Sequence, residues 1–352
     1  MRMGSRAGKP VIRSGSFVIC LVALLAVSGC LKNSQPEVIV YCALDQEFSE
    51  PLLDRFEQET GIRVRAVYDS ESTKTVGLVA RIMEEGAELP RCDVFWNNEI
   101  LGTLRIEEKG LLDRYRPPGA DAIPDQFQSK ENHWFGFAAR ARVLIVNTEL
   151  VSSEDMPASI HDLLDPKWKG KIGIAKPLFG STATHAACMF AHLGDDAAKE
   201  FFQRLKQNDV QILSGNKQVA EDVASGKIAF GVTDTDDAII EAEGGFPIKI
   251  IYPDSKAGQV GTLFFPNTVC LLKDGPNNDN GRKLMDYLLS SPIEIALARG
   301  ESAQIPLRSD VKIDLRVETP RSVQALPIDF AKAGAKWDTA SQFLKEEFSL
   351  VK

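Results

Sequence analysis

Two apolar periods alternate along this chain. Glu37-Val-Ile-Val-Tyr-Cys42 is a β-rich run that ends in Ala43-Leu-Asp45. Gln46 to Thr60 then place Phe48, Leu52, Leu53 and Phe56 at helical spacing, and Gly61 stops the helix. Ile62 to Tyr68 reads as a second strand, and Asp69 to Thr73 supply cap residues for a helix carrying Val76, Leu78, Val79 and Ile82. Cys92-Asp-Val-Phe-Trp96 is a third strand, followed by Asn97-Asn-Glu99 and a helix running to Lys109-Gly110. Such alternation predicts a parallel sheet with right-handed crossovers. Asp45, Ser70 to Thr73 and Asn97 to Glu99 all fall at carboxyl ends of strands. Singly each reads as a helix cap; together they define a rim facing a common space.

The second half repeats the alternation. Trp134 to Thr148 is a long extended run with apolar alternation on both sides of Arg140, suited to a strand that leaves one lobe and enters another. Pro157 to Asp165 predicts a short helix, and Gly170 to Ala175 a strand. Lys176 to His185 lead into an Ala-rich helix in which Gly180, Ser181 and Thr182 put backbone N–H groups and hydroxyls at the N-terminus, a place for an anion or an ordinary Ser/Thr cap. Asp195 to Gln207 is an amphipathic helix, Gln211 to Leu213 a strand, and Gly215-Asn216 opens a helix over Lys217 to Ala224. Lys249 to Pro253 and Gly261 to Leu272 are further extended runs, the latter also suited to crossing between lobes.

Between these lies Gly231-Val-Thr-Asp-Thr-Asp-Asp-Ala238, after a predicted strand over Lys227 to Val232 and before a short helix closed by Gly244-Gly245. Like charges ~5 Å apart repel by about 3 kcal/mol at an effective dielectric near 20, so Asp234, Asp236 and Asp237 call for solvent, a raised pKa or a bound cation. A solvated loop in which Thr233 or Asp234 caps the next helix is the plain alternative.

Residues 1–29 lie outside the predicted fold. Arg2, Arg6, Lys9 and Arg13 form a basic leader, and Phe17 to Val27 an apolar core too short for a permanent span. Val27-Ser-Gly-Cys30 resembles a bacterial lipobox, which implies cleavage before Cys30, lipid on that cysteine, and residues 30–36 as a tether. Losing four basic residues takes the formal charge from −8 to −12, an acidic balance that argues against a nucleic-acid partner. Cys42, Cys92, Cys188 and Cys270 are scattered through apolar runs without metal or redox spacing, so they read as small buried hydrophobes with no disulfide.

Taken in order, the chain resembles an extracellular solute-binding protein of an ABC importer, in the ferric-iron-binding branch. The likeness rests on Val40-Tyr41, Glu59-Thr60-Gly61-Ile62, Asp93-Val-Phe-Trp96, Gly110-Leu-Leu112, Trp168-Lys-Gly-Lys-Ile-Gly173 and Ala224-Ser-Gly-Lys-Ile228. It implies an α/β, two-lobed periplasmic-binding-protein fold of type II (transferrin-like), with mixed and parallel sheets and a cleft between the lobes. Lobe 1 is expected over 37–139 plus 262–308, and lobe 2 over 140–261 plus 309–352. Iron-binding members hold Fe³⁺ with adjacent tyrosines, often a histidine and a glutamate, and a small anion. The tyrosine places fall on Asp236 and Asp237, the histidine place on Asp45, and the glutamate place on Asn98 beside Glu99. None of those ligands is kept as such. The expected metal set is therefore Asp45, Glu99, Asp234, Asp236 and Asp237. The other expected ligand contacts are Asp45, Thr73, Trp96, Asn98, Ser181, Thr182, Asn216 and Arg299.

Carboxylates on one wall and anion-binding groups on the other suit Fe³⁺ or a divalent metal carried with phosphate or carbonate, with no tightly bound cofactor. They also suit a zwitterion such as an aminoalkylphosphonate, the alternative to the iron or other hard-metal cargo that the family resemblance puts first. A metal-dependent hydrolase is the competing class, but no nucleophile elbow, His-Glu-His helix or phosphate loop occurs, and His133, His161, His185 and His192 are spread out. His185 reads as a packing residue rather than a base. The resemblance thus implies a monomeric, membrane-anchored periplasmic or cell-surface binder that closes about a hinge near Arg140 and Thr262 and docks on a permease.

Overall fold

In the computed structural model, which describes residues 35–69 and 76–348 together with Met1, Gly4 and Gly8, the first apolar run forms β1 (Glu37–Cys42). It leads into α1 (Gln46–Thr60), whose apolar stripe buries Leu52, Leu53 and Phe56. Gly61, at φ 71°, closes α1 by returning its N–H to Glu57 O, a left-handed turn that suits glycine. β2 (Arg63–Tyr68), α2 (Val76–Glu85), β3 (Val94–Asn97) and α3 (Leu101–Glu108) follow. β1 pairs parallel with both β2 and β3, as the β-α-β alternation predicts.

β4 (Trp134–Asn147) is buried along its whole length and pairs in both sheets. Its first part, Trp134 to Ala141, pairs antiparallel with β9 (Phe264–Leu271), which in turn pairs with β3. Beyond Ala141 it changes partners. Arg142 to Val146 pair with β7 (Phe230–Asp234), and Leu144 to Asn147 with β8 (Ile248–Ile251). The register shifts between Phe137 and Arg140, where Ala138 adopts φ 44°. Such a bulge bends and re-aims a strand. Glu294 holds it, accepting the Ala138 N–H at 2.9 Å.

β5 (Ile172–Ala175) and β6 (Gln211–Leu213) complete the second sheet, giving the strand order β2-β1-β3-β9-β4-β7-β5-β6 with β8 on β4. Helices α4 (Gly180–Leu193), α5 (Asp195–Gln207), α6 (Asn216–Ala224) and α7 (Thr235–Glu243) cover this half. α8 (Asn278–Leu288), α9 (Ser291–Arg299), α10 (Phe330–Ala335) and α11 (Trp337–Phe348) follow. Both sheets are wrapped by apolar side chains, among them Val40, Phe95, Phe135, Phe137, Ile145, Ile172 and Phe230, all fully buried. The cysteines at 42, 92, 188 and 270 are buried, as expected of small hydrophobes.

Two local expectations shift. Pro157 to Asp165 give only a 3₁₀ turn over Ile160–Leu164, opened by Ser159 and stopped before Pro166. The strand predicted over Lys227 to Val232 instead occupies Phe230–Asp234, because the Lys227 and Ile228 N–H groups still bond the end of α6 through Asp222 O. β7 therefore carries Thr233 and Asp234 inside its ladder. It pairs parallel with β5 on one side and antiparallel with β4 on the other.

Candidate functional site

Asp234 stands directly opposite Arg142 in the β4–β7 register, so the two side chains share one face. Arg142 Nη1 lies 2.6 Å from Asp234 Oδ1, and Arg140 Nη1 is 3.4 Å from Asp234 Oδ2 and 3.1 Å from Asp236 Oδ2. All four side chains are buried. Arg140 Nη2 also donates to the Asn98 carbonyl of the β3–α3 turn, tying the first sheet to the second. The acidic stretch is therefore neither a solvated loop nor a bare cation trap: two guanidiniums already answer it. At an effective dielectric near 20, opposite charges ~4 Å apart attract by about 4 kcal/mol, and an added cation beside those guanidiniums meets repulsion of that size for each unit of its charge.

The network extends into the hydroxyls foreseen as anion ligands. Ser181 Oγ donates to Asp234 Oδ2 at 2.5 Å and accepts from Asn216 Nδ2 at 2.7 Å. Thr182 Oγ donates to Asn216 Oδ1 at 3.1 Å, and Arg142 reaches both that oxygen and the Thr182 hydroxyl, at 3.0 and 3.3 Å. Burial would raise Asp234, but Arg142, then Arg140 and Ser181, hold it below the ordinary carboxylate value. Asp236 goes the other way: burial outweighs Arg140, with Asp234 and Asp45 adding repulsion, and its carboxyl is raised above the ordinary value. Burial also acts against the Arg140 charge, yet Asp236 and Asp234 keep it more firmly charged than an ordinary arginine.

A solvent-open cleft runs over this network. Asp45, Asn98, Arg140, Asp234 and Asp237 line it, with Glu47 and Glu241 adding negative charge. Phe179 to Thr182 and Ser214 to Lys217, at the N-terminal turns of α4 and α6, line it as well, together with Lys176. Neither helix has a side-chain cap: Phe179 and Gly215, at the cap positions, contribute only their backbone carbonyls. The first-turn N–H groups of both helices thus face one space with both dipoles positive end first. Gly180, at φ 52°, has no atom within 4 Å of where a Cβ would stand, which leaves the mouth of α4 open.

The structure brings Asp45, Asn98, Ser181, Thr182, Asn216, Asp234 and Asp237 to the cleft. Among the described residues it does not bring Trp96, Glu99, Asp236 or Arg299 to the lining. Glu99 is a buried cap for α3, accepting the Leu101 and Gly102 N–H groups at 2.5 and 2.8 Å, Asn97 Nδ2 at 3.0 Å and the Thr184 hydroxyl at 2.8 Å. Those four donors fill its lone pairs, so it is no metal ligand. Trp96 is core, fully buried and packed on Phe137 with ring centroids 5.4 Å apart. Arg299 is exposed at the end of α9 and does not line the cleft. Asp236 is buried behind the lining residues, against Arg140. Thr73 and Cys30 lie outside the described residues. His185 is no base: burial, then Arg142, depress it from 6.5 to about 3.

Sequence reasoning missed Arg140 and Arg142. The signal was present: two arginines two positions apart in an otherwise apolar fourteen-residue strand share a face. A strand buried on both faces obliges such charges to find carboxylates.

A family model, bacterial extracellular solute-binding protein, matches residues 103–333. The chain belongs to that family. It is 25% identical to the iron uptake protein A1 of Synechocystis, covering 89% of this chain and 88% of that protein. It is 28% identical to a Salmonella typhimurium protein named as 2-aminoethylphosphonate-binding and periplasmic, covering 83% and 85%. Among solved structures, iron-bound HitA from Pseudomonas aeruginosa matches with a TM-score of 0.80 at 21% identity, over 88% of this chain and 99% of that one. AfuA from Actinobacillus pleuropneumoniae, solved with fructose 6-phosphate, matches with a TM-score of 0.79 at 26% identity, over 90% and 100%. The fold is accordingly the two-lobed α/β fold of periplasmic binding proteins, as the resemblance implied. Members of this family are substrate-binding transport proteins rather than enzymes, and they serve ABC importers. No helix among the described residues is long and apolar enough to cross a membrane.

Proposed function

We propose that the cleft captures a small organic phosphate or phosphonate bearing an amine or hydroxyls at its other end, and that the protein passes this solute to an ABC permease. The observation that carries the reading is the pair of helix N-termini without side-chain caps, at Phe179–Thr182 and Ser214–Lys217, lining one cleft that Asp45 and Asp237 also line. A tetrahedral dianion suits the N–H groups of two helix first turns with Lys176 beside them. An ammonium or hydroxyl end then meets the acidic side. The relatives named for 2-aminoethylphosphonate and fructose 6-phosphate support this class.

The second reading is a hard metal, iron or a divalent ion, carried with phosphate or carbonate. Carboxylate oxygens of Asp234, Asp236 and Asp237 all lie within 4.8 Å of one another, and iron-named relatives support it. The organic solute is preferred because Arg140 and Arg142 already pair two of those three carboxylates.

In either case capture needs only different affinities in open and closed states and no catalytic group. The lobes are taken as 37–139 with 262–308 and 140–261 with 309–352, turning about β4 and the Thr262 segment. Cys30 serves as the lipid anchor of a monomeric binder on the outer side of the membrane. Calorimetry of the full-length protein in mild detergent, titrated with 2-aminoethylphosphonate, fructose 6-phosphate, inorganic phosphate and ferric citrate, tests the reading. The expected result is saturable binding of one organic probe, tighter than inorganic phosphate. Binding of iron with no response to either organic probe would overturn it.

A further inference from the structure

We propose that Arg140 is the specificity-determining residue of this cleft: its guanidinium is a built-in cation that excludes metal ions from the Asp234–Asp236–Asp237 cluster. The inference rests on the organic-solute reading and explains how the acidic wall is kept from taking a metal.

Three observations meet at this side chain. Its Nη1 sits between Asp234 and Asp236, at 3.4 and 3.1 Å, where an ion bridging those carboxylates would compete with it. Its Nη2 is bonded to the Asn98 carbonyl, and its guanidinium lies over the Phe265 ring at 5.0 Å, so it is held from three sides rather than swinging in solvent. Its backbone sits just past the Ala138 bulge, where the strand is re-aimed between the two sheets. A guanidinium has no lone pair to offer a metal and does not lose its proton at neutral pH, so it cannot turn into a ligand. Arg142 is anchored elsewhere, by Ser181, Thr182 and Asn216 as well as Asp234, and it leaves the Asp236 side of the cluster to Arg140 alone among the described residues.

Removing the charge while keeping the carboxylates therefore converts the cluster into a metal site. The test uses the full-length protein in detergent, with Mn²⁺ and ferric citrate titrated into wild type, Arg140→Ala, Arg140→Gln and Arg140→Lys. Folding is followed by circular dichroism, and solute binding is read separately with 2-aminoethylphosphonate and fructose 6-phosphate. Wild type and Arg140→Lys are expected to leave both metals unbound. Arg140→Ala is expected to bind one of them roughly tenfold or more tightly than wild type. Adding Asp236→Asn to Arg140→Ala should abolish that gain. If Arg140→Ala does not fold, Arg140→Gln, similar in shape but neutral, gives the same reading.

A folded neutral variant that stays metal-free overturns the inference and leaves the organic-solute reading standing if wild type still binds an organic probe. A metal gain in Arg140→Lys equal to that in Arg140→Ala also overturns it, since charge would not be the determinant. Wild type that binds metal as tightly as Arg140→Ala overturns the inference. If that wild type also ignores both organic probes, the organic-solute reading falls with it.

Discussion

Arg142 and Asp234 face each other across the antiparallel β4–β7 ladder, their charged atoms 2.6 Å apart and both side chains 1% exposed. Removing one member of such a buried pair strands the other charge away from water. Asp234→Ala is expected to lower unfolding stability by roughly 3–5 kcal/mol. The double variant Arg142→Met with Asp234→Leu should cost less than the two single variants summed. Urea unfolding of the set checks both statements, and an Asp234→Ala loss under about 1 kcal/mol contradicts the first.

The anion wall makes a separate prediction. Thr182→Val keeps the shape but removes a hydroxyl that lines the cleft between Arg142 and Asn216. Affinity for the phosphorylated solute should fall about tenfold, with a smaller change in melting temperature than Asp234→Ala produces. Calorimetry alongside a thermal melt separates the two effects; unchanged affinity counts against the proposed anion site.

Lys217 of α6 and Glu47 of α1 reach across the cleft mouth at 3.5 Å, with both side chains more than half exposed. An exposed pair of this kind contributes about 0–1 kcal/mol and is screened by salt. Glu47→Lys should weaken solute binding a few-fold at low ionic strength, and adding Lys217→Glu should restore it. Binding measured at two salt concentrations checks this; a Glu47→Lys effect that persists undiminished in high salt excludes a simple charge latch.

His185 sets a pH dependence. Its folded pKa is depressed to about 3 from 6.5, so the unfolded chain binds the extra proton first as pH falls. The stability it contributes is present above pH 6.5 and is lost progressively from there down to about pH 3. The full loss is on the order of 5 kcal/mol. His185→Gln should flatten the stability curve between about pH 4.5 and 6.5, above the range where most carboxylates titrate. Denaturant unfolding at a series of pH values decides it, and an unchanged slope removes His185 from the account.

Much of the fold was legible because it follows from local rules. β1 and α1 begin and end where alternation, helical spacing and Gly61 placed them, since those signals act over a few residues. The α4 N-terminus, with Ser181 and Thr182 at the cleft, was legible for the same reason. Glu99 misled because its spacing before α3 serves equally a helix cap and an outward ligand, and only the positions of Asn97 and Thr184 decide which. Trp96 misled because a strand end can face either the rim or the core.

The sequence by itself determined the order of strands and helices, the resemblance to a two-lobed binder, and the presence of an acidic run beside a long strand holding two arginines. The tertiary structure alone decided that these belong to one network. Placing Asp234 opposite Arg142 depends on the pairing register of β4 and β7, which lie about ninety positions apart in the chain. Charge balance in a buried site is a property of distances between segments. It changes the cleft from an apparent cation trap into one where Asp234 and Asp236 are already paired by arginines, and no local pattern encodes those distances.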